Sequence, residues 1–529
     1  MPLQSGHSRT LKRCPKTLFL AVLTLTGCAT DELALAPSAP DRPWVMPPTS
    51  GAPSRPVAVP AKEPRSGAAA PPPVGTPAEA ADYAMADSSG SRIGTGEINR
   101  GNAVAIDRAR QYDLAALIDL AQRNNPETRE AWERARQAAL AVGLVESTYV
   151  PQISAEIISG YQTTPLPIPK DLIPRGWFRA DTRELIPLLA AKWLLFDFGR
   201  RAGAEQEARA NAFVANVRFT GVHHKLIYAV SRDYFALGAA RARLHVTEQA
   251  LKTAGIVQDA AEMRRANGLA TVVEVAQARR QTAQARFDLE RAKGAEHAAY
   301  AALIASVGIA PNTVVQVADS SGQPLPPEPS GDVDQLLRDA LANRPDIIAA
   351  LGKIKAAEAT LNSANANYYP TISLVAKVYE NVGSLSTDGS PYYSVYKPGA
   401  SILLKLDWPL FDGGAREARV AAARSEISAA QASLDHAKDA AEQQVTDAYD
   451  ALKTGFAEHS AALTLTEAAQ TAYDAALEAY RNGVGTYTDL VNAETALTQA
   501  QSERVTAHAN VFTAAAALAF ATGSMLSQP

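Results

Sequence analysis

Two aspartates sit in nearly the same five letters: residues 195–199 read LFDFG and residues 410–414 read LFDGG. A carboxylate such as Asp197 or Asp412 could act as a general acid or base, or it could accept from free N–H groups at a helix start. Acid–base chemistry needs partners, and the sequence supplies none at a working spacing. There is no Ser/His/Asp set, no HExxH pair, and the Gly199-Arg200-Arg201 stretch lacks the pattern of a phosphate loop. His223 and His224 are adjacent. On a helix they point about 100° apart and share a metal poorly, so an exposed polar face is expected there. With five methionines and two cysteines, a soft-metal relay has little support. No catalytic residue, metal or cofactor is expected, and the chain does not read as an enzyme.

The ends and the composition bound the remaining options. Arg9, Lys12, Arg13 and Lys16 precede the apolar run Leu18–Leu25, which is far short of the roughly 20 residues of a spanning helix. It ends in Leu25-Thr26-Gly27-Cys28, which resembles a bacterial lipobox. Residues 1–27 then form a lipoprotein signal peptide and Cys28 the lipid attachment point; the alternative is an ordinary signal peptide with a chance cysteine. Cys14 would leave with the signal, so no disulfide is expected. Ala29 and Thr30 follow Cys28 where an Asp would favour inner-membrane retention, which points to outer-membrane sorting. Thirteen of the 33 prolines fall within residues 31–80. Proline lacks a backbone donor, so residues 28–109 are expected to form a lipid-anchored, largely disordered tether. A Pro-rich recognition ligand is the alternative, but no PxxP with basic flanks stands out. Fifty-one Lys and Arg balance 55 Asp and Glu, which argues against a nucleic-acid partner. Aromatics make up only 6% against 47% hydrophobic residues, many of them Ala, the composition of long helices with thin contacts.

An internal repeat organises the rest. Asn125-Pro126-Glu127 matches Arg344-Pro345-Asp346, and Tyr149-Val150-Pro151 matches Tyr368-Tyr369-Pro370, both at an offset of 219. Trp193, Asp197, Gly199, Tyr234, Gly268, Thr271 and Gly308 match Trp408, Asp412, Gly414, Tyr449, Gly483, Thr486 and Gly523 at an offset of 215. The chain thus divides into a first repeat (110–310), a connection (311–331), a second repeat (332–524) and a short tail (525–529). Each repeat predicts a helix (about 113–147 and 333–367), stopped at the helix–strand entry by Pro151 or Pro370. A β-hairpin of roughly ten-residue strands follows. Ile372, Leu374, Ala376 and Val378, then Ile402, Leu404, Leu406 and Trp408, recur at the period of a two-faced strand. After LFDxG comes a helical hairpin (about 200–306 and 415–522), with arms of about 50 residues that bend near Asn267-Gly268 and Asn482-Gly483. Two hairpins of such strands do not make a stable sheet alone, and four strands with one apolar face beside helices of about 50 residues fit neither a sandwich nor an open α/β fold. Several chains could pool them into a closed barrel with a bilayer-facing belt.

At this point the chain resembles the TolC-like outer-membrane efflux proteins, or outer membrane factors. The duplicated helix–Pro–strand entries, the two LFDxG corners and the tip Tyr480-Arg481-Asn482-Gly483 carry the likeness, over about residues 110–524. It implies an α+β, internally duplicated fold in which long helical hairpins build a periplasmic α-barrel. Four strands per chain would join a twelve-stranded outer-membrane β-barrel in a homotrimer. Implied partners are a periplasmic adaptor, an inner-membrane transporter and outer-membrane lipid; the implied function is the passive exit duct of a tripartite efflux system. The family's tip pattern is a Tyr, a Gly three residues on, an Asp six beyond it and a second Asp three later. Tyr480, Gly483 and Asp489 match, Asn492 departs, and the first repeat offers Gly268, Glu274 and Gln277 with Arg264 nearby. The resemblance implies a periplasmic gate at Tyr480, Arg481, Asp489, Asn492, Glu274 and Arg264, closed by a ring of Asp489, which would favour cations. The alternative is an Asp489 that faces solvent beside a bend. At the corners, Asp197, Gly199, Asp412 and Gly414 are expected to be structural.

Two other functions remain open: an outer-membrane channel for type I protein secretion, and a periplasmic adaptor or coiled-coil lipoprotein. The adaptor predicts one helical hairpin inside a β-rich domain, whereas this sequence carries two hairpins and duplicated strands.

Overall fold

The structure, a computed structural model, describes residues 31–46, 106–107, 110–329 and 332–526. The expected signal peptide, Cys28 and residues 47–105 of the expected tether lie outside the described residues. In chain order the first repeat comprises β1 (Gln111–Tyr112), α1 (Leu114–Asn124), α2 (Pro126–Glu146), β2 (Gln152–Pro167), β3 (Trp177–Phe196), α3 (Arg200–Ala266) and α4 (Val272–Val307). β4 (Gln316–Val317) lies in the connection. The second repeat comprises α5 (Val333–Asn343), α6 (Pro345–Ala366), β5 (Thr371–Thr387), β6 (Tyr393–Asp407), α7 (Ala415–Arg481) and α8 (Tyr487–Ala521). The fold is α+β and internally duplicated.

Three expectations change. The single opening helix of each repeat is two helices, because proline cannot donate to the helical ladder. Asn125 and Arg344 are extended at ψ 127°, and Pro126 and Pro345 start the next helix at its first position. The Asn125 side chain accepts from Glu127 N–H at 2.8 Å and donates to the Ser306 carbonyl at 3.0 Å. Arg344 donates likewise to the Ala521 carbonyl at 3.1 Å. Second, the hairpin arms are unequal: α3 and α7 have 67 residues each, while α4 and α8 have 36 and 35. α4 ends against the start of α2, so those two helices together run beside the single long α3. Third, the strands have 16, 20, 17 and 15 residues. They continue past the apolar stretch into Thr- and Ser-rich ends that read as loop in the sequence.

The sheet order is β2-β3-β5-β6, antiparallel throughout. Register places Ile153, Ala191, Ala376 and Ile402 side by side, and then Trp193, Leu374 and Leu404. Facing residues in a ladder share one side of the sheet, so a single apolar face crosses all four strands and both repeats. Ile402 is 76% and Leu404 69% exposed on that face. The opposite face carries Ser154, Lys377 and Ser401. Among the described residues no helix is long and apolar enough to cross a membrane.

The tether expectation is corrected for residues 31–44. A 3-10 turn (Asp31–Leu35) and the chain beyond it lie on the first repeat's helices. Prolines leave carbonyls but no donors, and helix side chains satisfy them. Trp132 Nε1 donates to Pro37 O at 2.9 Å, Asn216 Nδ2 to Leu35 O at 2.6 Å, and Thr220 Oγ1 to Trp44 O at 3.0 Å. Trp44 packs on Phe213 edge to face, with Val214, Val217 and Ala349 around it, and so joins α3 to α6. This segment also explains a second correction. His223 and His224 are buried rather than exposed, and Pro40 stands against His223, whose imidazole burial pushes down to about 4.

Candidate functional site

The strand–helix corners are built first by sequence. In the first, Asp197 Oδ2 accepts from the Arg201 backbone N–H at 2.9 Å and from Arg201 Nε at 3.0 Å. The Arg201 guanidinium also donates to the Thr148 and Leu194 carbonyls and lies 4.6 Å over the Tyr149 ring. Trp193 Nε1 closes the corner by donating to Tyr149 O at 2.8 Å. The second repeats the scheme: Arg416 Nε to Asp412 at 3.1 Å, Arg416 5.3 Å over Tyr368, and Trp408 Nε1 to Tyr368 O. The aspartates thus hold an arginine that gathers carbonyls, and nothing beside them suggests acid–base chemistry. Gly199 and Gly414 begin the helices at φ +94° and +88°, a region that side chains other than glycine's seldom adopt. Sequence reasoning missed Arg201 and Arg416, although the 215 offset that pairs the aspartates pairs them too. Pro151 and Pro370 stand immediately before β2 and β5.

At the far end the hairpins turn at Gly268 (φ +73°) and Gly483 (φ +77°), as expected. Here the two repeats share one core. Val257 and Ala261 from α3, Val275 and Ala278 from α4, Tyr480 from α7, and Tyr487 and Leu490 from α8 bury together. Arg264 reaches across the repeats: its Nη1 donates to Tyr480 O at 2.8 Å and its guanidinium sits 4.6 Å over the Tyr480 ring. The Tyr480 carbonyl, which also accepts from the Gly483 N–H at 3.1 Å, lies at the C-terminus of α7, where a cation is favoured. Burial raises the Tyr480 phenol, while Arg264 lowers it and Glu274 raises it. The structure therefore brings Tyr480 and Arg264 into contact, with Glu274 near enough to act on the phenol through its charge alone.

It does not bring the other three into that cluster. Arg481 is exposed and pairs with Glu478 at 2.9 Å. Asp489 is exposed and forms a capping box: its N–H donates to Thr486 Oγ1 at 3.2 Å, and its Oδ2 accepts from the Thr486 N–H at 3.3 Å. Asn492 is exposed. The tip of the first repeat has half of that box, with Glu274 N–H donating to Thr271 Oγ1 at 3.2 Å. Reasoning from sequence missed Tyr487, whose phenol burial pushes up to about 12, and Glu494, 4% exposed on the same stripe of α8. Tyr487, Leu490, Glu494 and Leu497 recur at the three- and four-residue spacing of a packed helix face; that spacing marks the stripe, but not that a glutamate on it is covered.

Known proteins share this architecture. Protein CyaE of Bordetella pertussis is 30% identical over 359 residues, 68% of this chain and 72% of that one. Outer membrane protein OprJ of Pseudomonas aeruginosa is 26% identical over 364 residues, 67% of this chain and 72% of that one. The cation efflux system protein CusC of Escherichia coli K12 is 26% identical over 357 residues, 67% of this chain and 71% of that one. Among solved structures, CusC matches with a TM-score of 0.66 at 23% identity, covering 78% of this chain and 92% of that one. VceC of Vibrio cholerae matches at 0.63 and 22%, covering 78% and 96%. The outer membrane efflux protein family matches residues 117–309 and again 336–524, one match for each repeat. With both repeats accounted for and the fold shared, this chain belongs to the outer membrane efflux protein family.

Proposed function

We propose that the chain is the outer-membrane exit duct of a tripartite efflux system, assembled as a homotrimer. It conducts passively what an inner-membrane transporter delivers through a periplasmic adaptor. The observation that carries this reading is the apolar face that runs across β2, β3, β5 and β6 and is left exposed in the single chain. An exposed apolar face of that extent marks a surface to be covered by partner subunits or lipid. Three copies closed into twelve strands would bury every edge and turn the face to lipid. The relatives whose names state a role, such as the cation efflux system protein CusC and the solvent efflux pump outer membrane protein SrpC, support efflux over protein secretion.

In this reading the tips form the gate. Tyr480 and Arg264 hold the two hairpins of a protomer together, Glu274 stands near them, and Asp489 stands exposed where three copies would make a cation-favouring ring. Cys28, seven residues ahead of the Leu35 that binds beside Asn216 on α3, is the lipid attachment point in this reading.

The test is a deletion strain complemented with the full gene, scored for susceptibility to drugs, solvents and metal ions, with the outer-membrane fraction run on mild gels. Trimers and restored resistance are expected. A soluble periplasmic monomer, or restored secretion of a protein without restored resistance, overturns the reading.

A further inference from the structure

Glu494 is the one glutamate among the described residues that is fully buried, at 4% exposure. Its Oε2 has no hydrogen-bond partner, and no described cation pairs with it. It stands on α8 between two apolar groups: Tyr487 and Leu490 on the tip side, Leu497 and Ala500 on the other. The ionisable groups around it come from three other helices as well as its own. From α7, Tyr473 faces it, with Asp474 and Arg481 acting on Tyr473. From α8, Tyr487 faces it, with Arg280 of α4 acting on Tyr487. From α3, Arg264 is committed to Tyr480. The tyrosines are neutral at physiological pH, and Arg481 is paired with Glu478. An ionised carboxylate at this position would be a buried charge without compensation.

We propose that Glu494 is a proton-operated latch: the tip packs around this side chain while it holds a proton, and its ionisation loosens α8 from its neighbours. The proposal rests on the duct reading for its consequence, since loosening the tip would open the gate, but the latch itself is a property of the packed helices. Burial pushes the Glu494 carboxyl from its ordinary 4.5 up to about 7. Below 4.5 the packed and loosened tips both keep the proton, and pH has no effect through this group. Between 4.5 and about 7 only the loosened tip ionises, so rising pH progressively favours loosening. Above about 7 the packed tip carries the full cost of a buried charge. Closure is therefore strongest in acid.

Two measurements on the full-length assembled protein test this. The first is hydrogen exchange of residues 487–500, corrected for the intrinsic pH dependence of exchange, in wild type and in Glu494→Gln, which keeps the shape but cannot ionise. Wild-type protection should fall by roughly ten- to a hundredfold between about pH 5 and pH 8, and the variant's should stay flat. The second is open probability in planar bilayers over the same range, which should rise in wild type and not in the variant. Glu494→Leu, an apolar residue on an apolar stripe, serves if the glutamine variant does not accumulate, and should be equally flat. Exchange profiles that superimpose for wild type and variant overturn the latch. A flat variant in exchange from a protein that conducts at no pH would uphold the latch and overturn the duct.

Discussion

At the strand–helix corners the two repeats are near copies, whereas at the hairpin tips they are unlike partners. Each corner uses the same four residue types: Tyr149, Trp193, Asp197 and Arg201 in one, Tyr368, Trp408, Asp412 and Arg416 in the other. Even the exception conforms. Phe198 takes φ +54° where the second copy has Gly413 at +67°, and it stacks on Tyr369 at 5.2 Å. At the tips, Arg264 has no arginine partner from the second repeat, one cap is a full box and the other half of one, and only α8 carries a buried glutamate. A corner has to turn a strand into a helix twice over, and one solution serves both. The tips meet each other, and two surfaces that meet must be complementary, not identical.

The comparison can be broken most severely at Arg201. Arg201→Ala leaves the buried Asp197 without its cation and should cost about 3–5 kcal/mol, seen as a large fall in melting temperature or loss of assembled protein. Arg416→Ala, beside the more exposed Asp412, should cost less; an equal loss would show the corners to be energetically alike. Next comes Arg264→Ala, which removes a charge-assisted hydrogen bond and a ring contact worth about 2 kcal/mol together. It should raise leak conductance in bilayers by about tenfold with little change in melting. Unchanged leak would separate the cross-repeat contact from closure. Asp489→Ala removes the capping box at about 1 kcal/mol. If the exposed carboxylates also form the ring, cation selectivity and divalent-ion block should fall; unchanged selectivity leaves only the cap. The smallest effect is expected for Phe198→Gly. Relief of about 1 kcal/mol of left-handed strain is offset by loss of the Tyr369 stacking, so melting should move by only a degree or two.

Much of this was legible in residues at fixed offsets. The duplication, the order of elements, the bends at Gly268 and Gly483, and the apolar alternation of β5 and β6 follow from local rules of period and backbone freedom. The break at Asn125-Pro126 was in view but read as part of one helix, because both sides of it keep a helical period. The docked segment 31–44 was hidden by its prolines. Its order depends on Trp132, Asn216 and Thr220, donors that stand about 90 to 180 residues away. At the tip, Tyr480, Arg264 and Glu274 were found through the family likeness. Asp489 was found the same way, and the structure shows its carboxylate engaged in a cap.

The amino-acid sequence by itself determined the repeat, the corners and the family, because each is a matter of neighbours along the chain or of the same spacing written twice. Only the tertiary structure decided which charges are covered. His223 and Glu494 look like solvated residues in the sequence and are buried in the fold. Burial is set by what arrives from elsewhere: a proline-rich segment over one, and the packed tips around the other. Desolvation, unlike helical period, has no local signature strong enough to read alone.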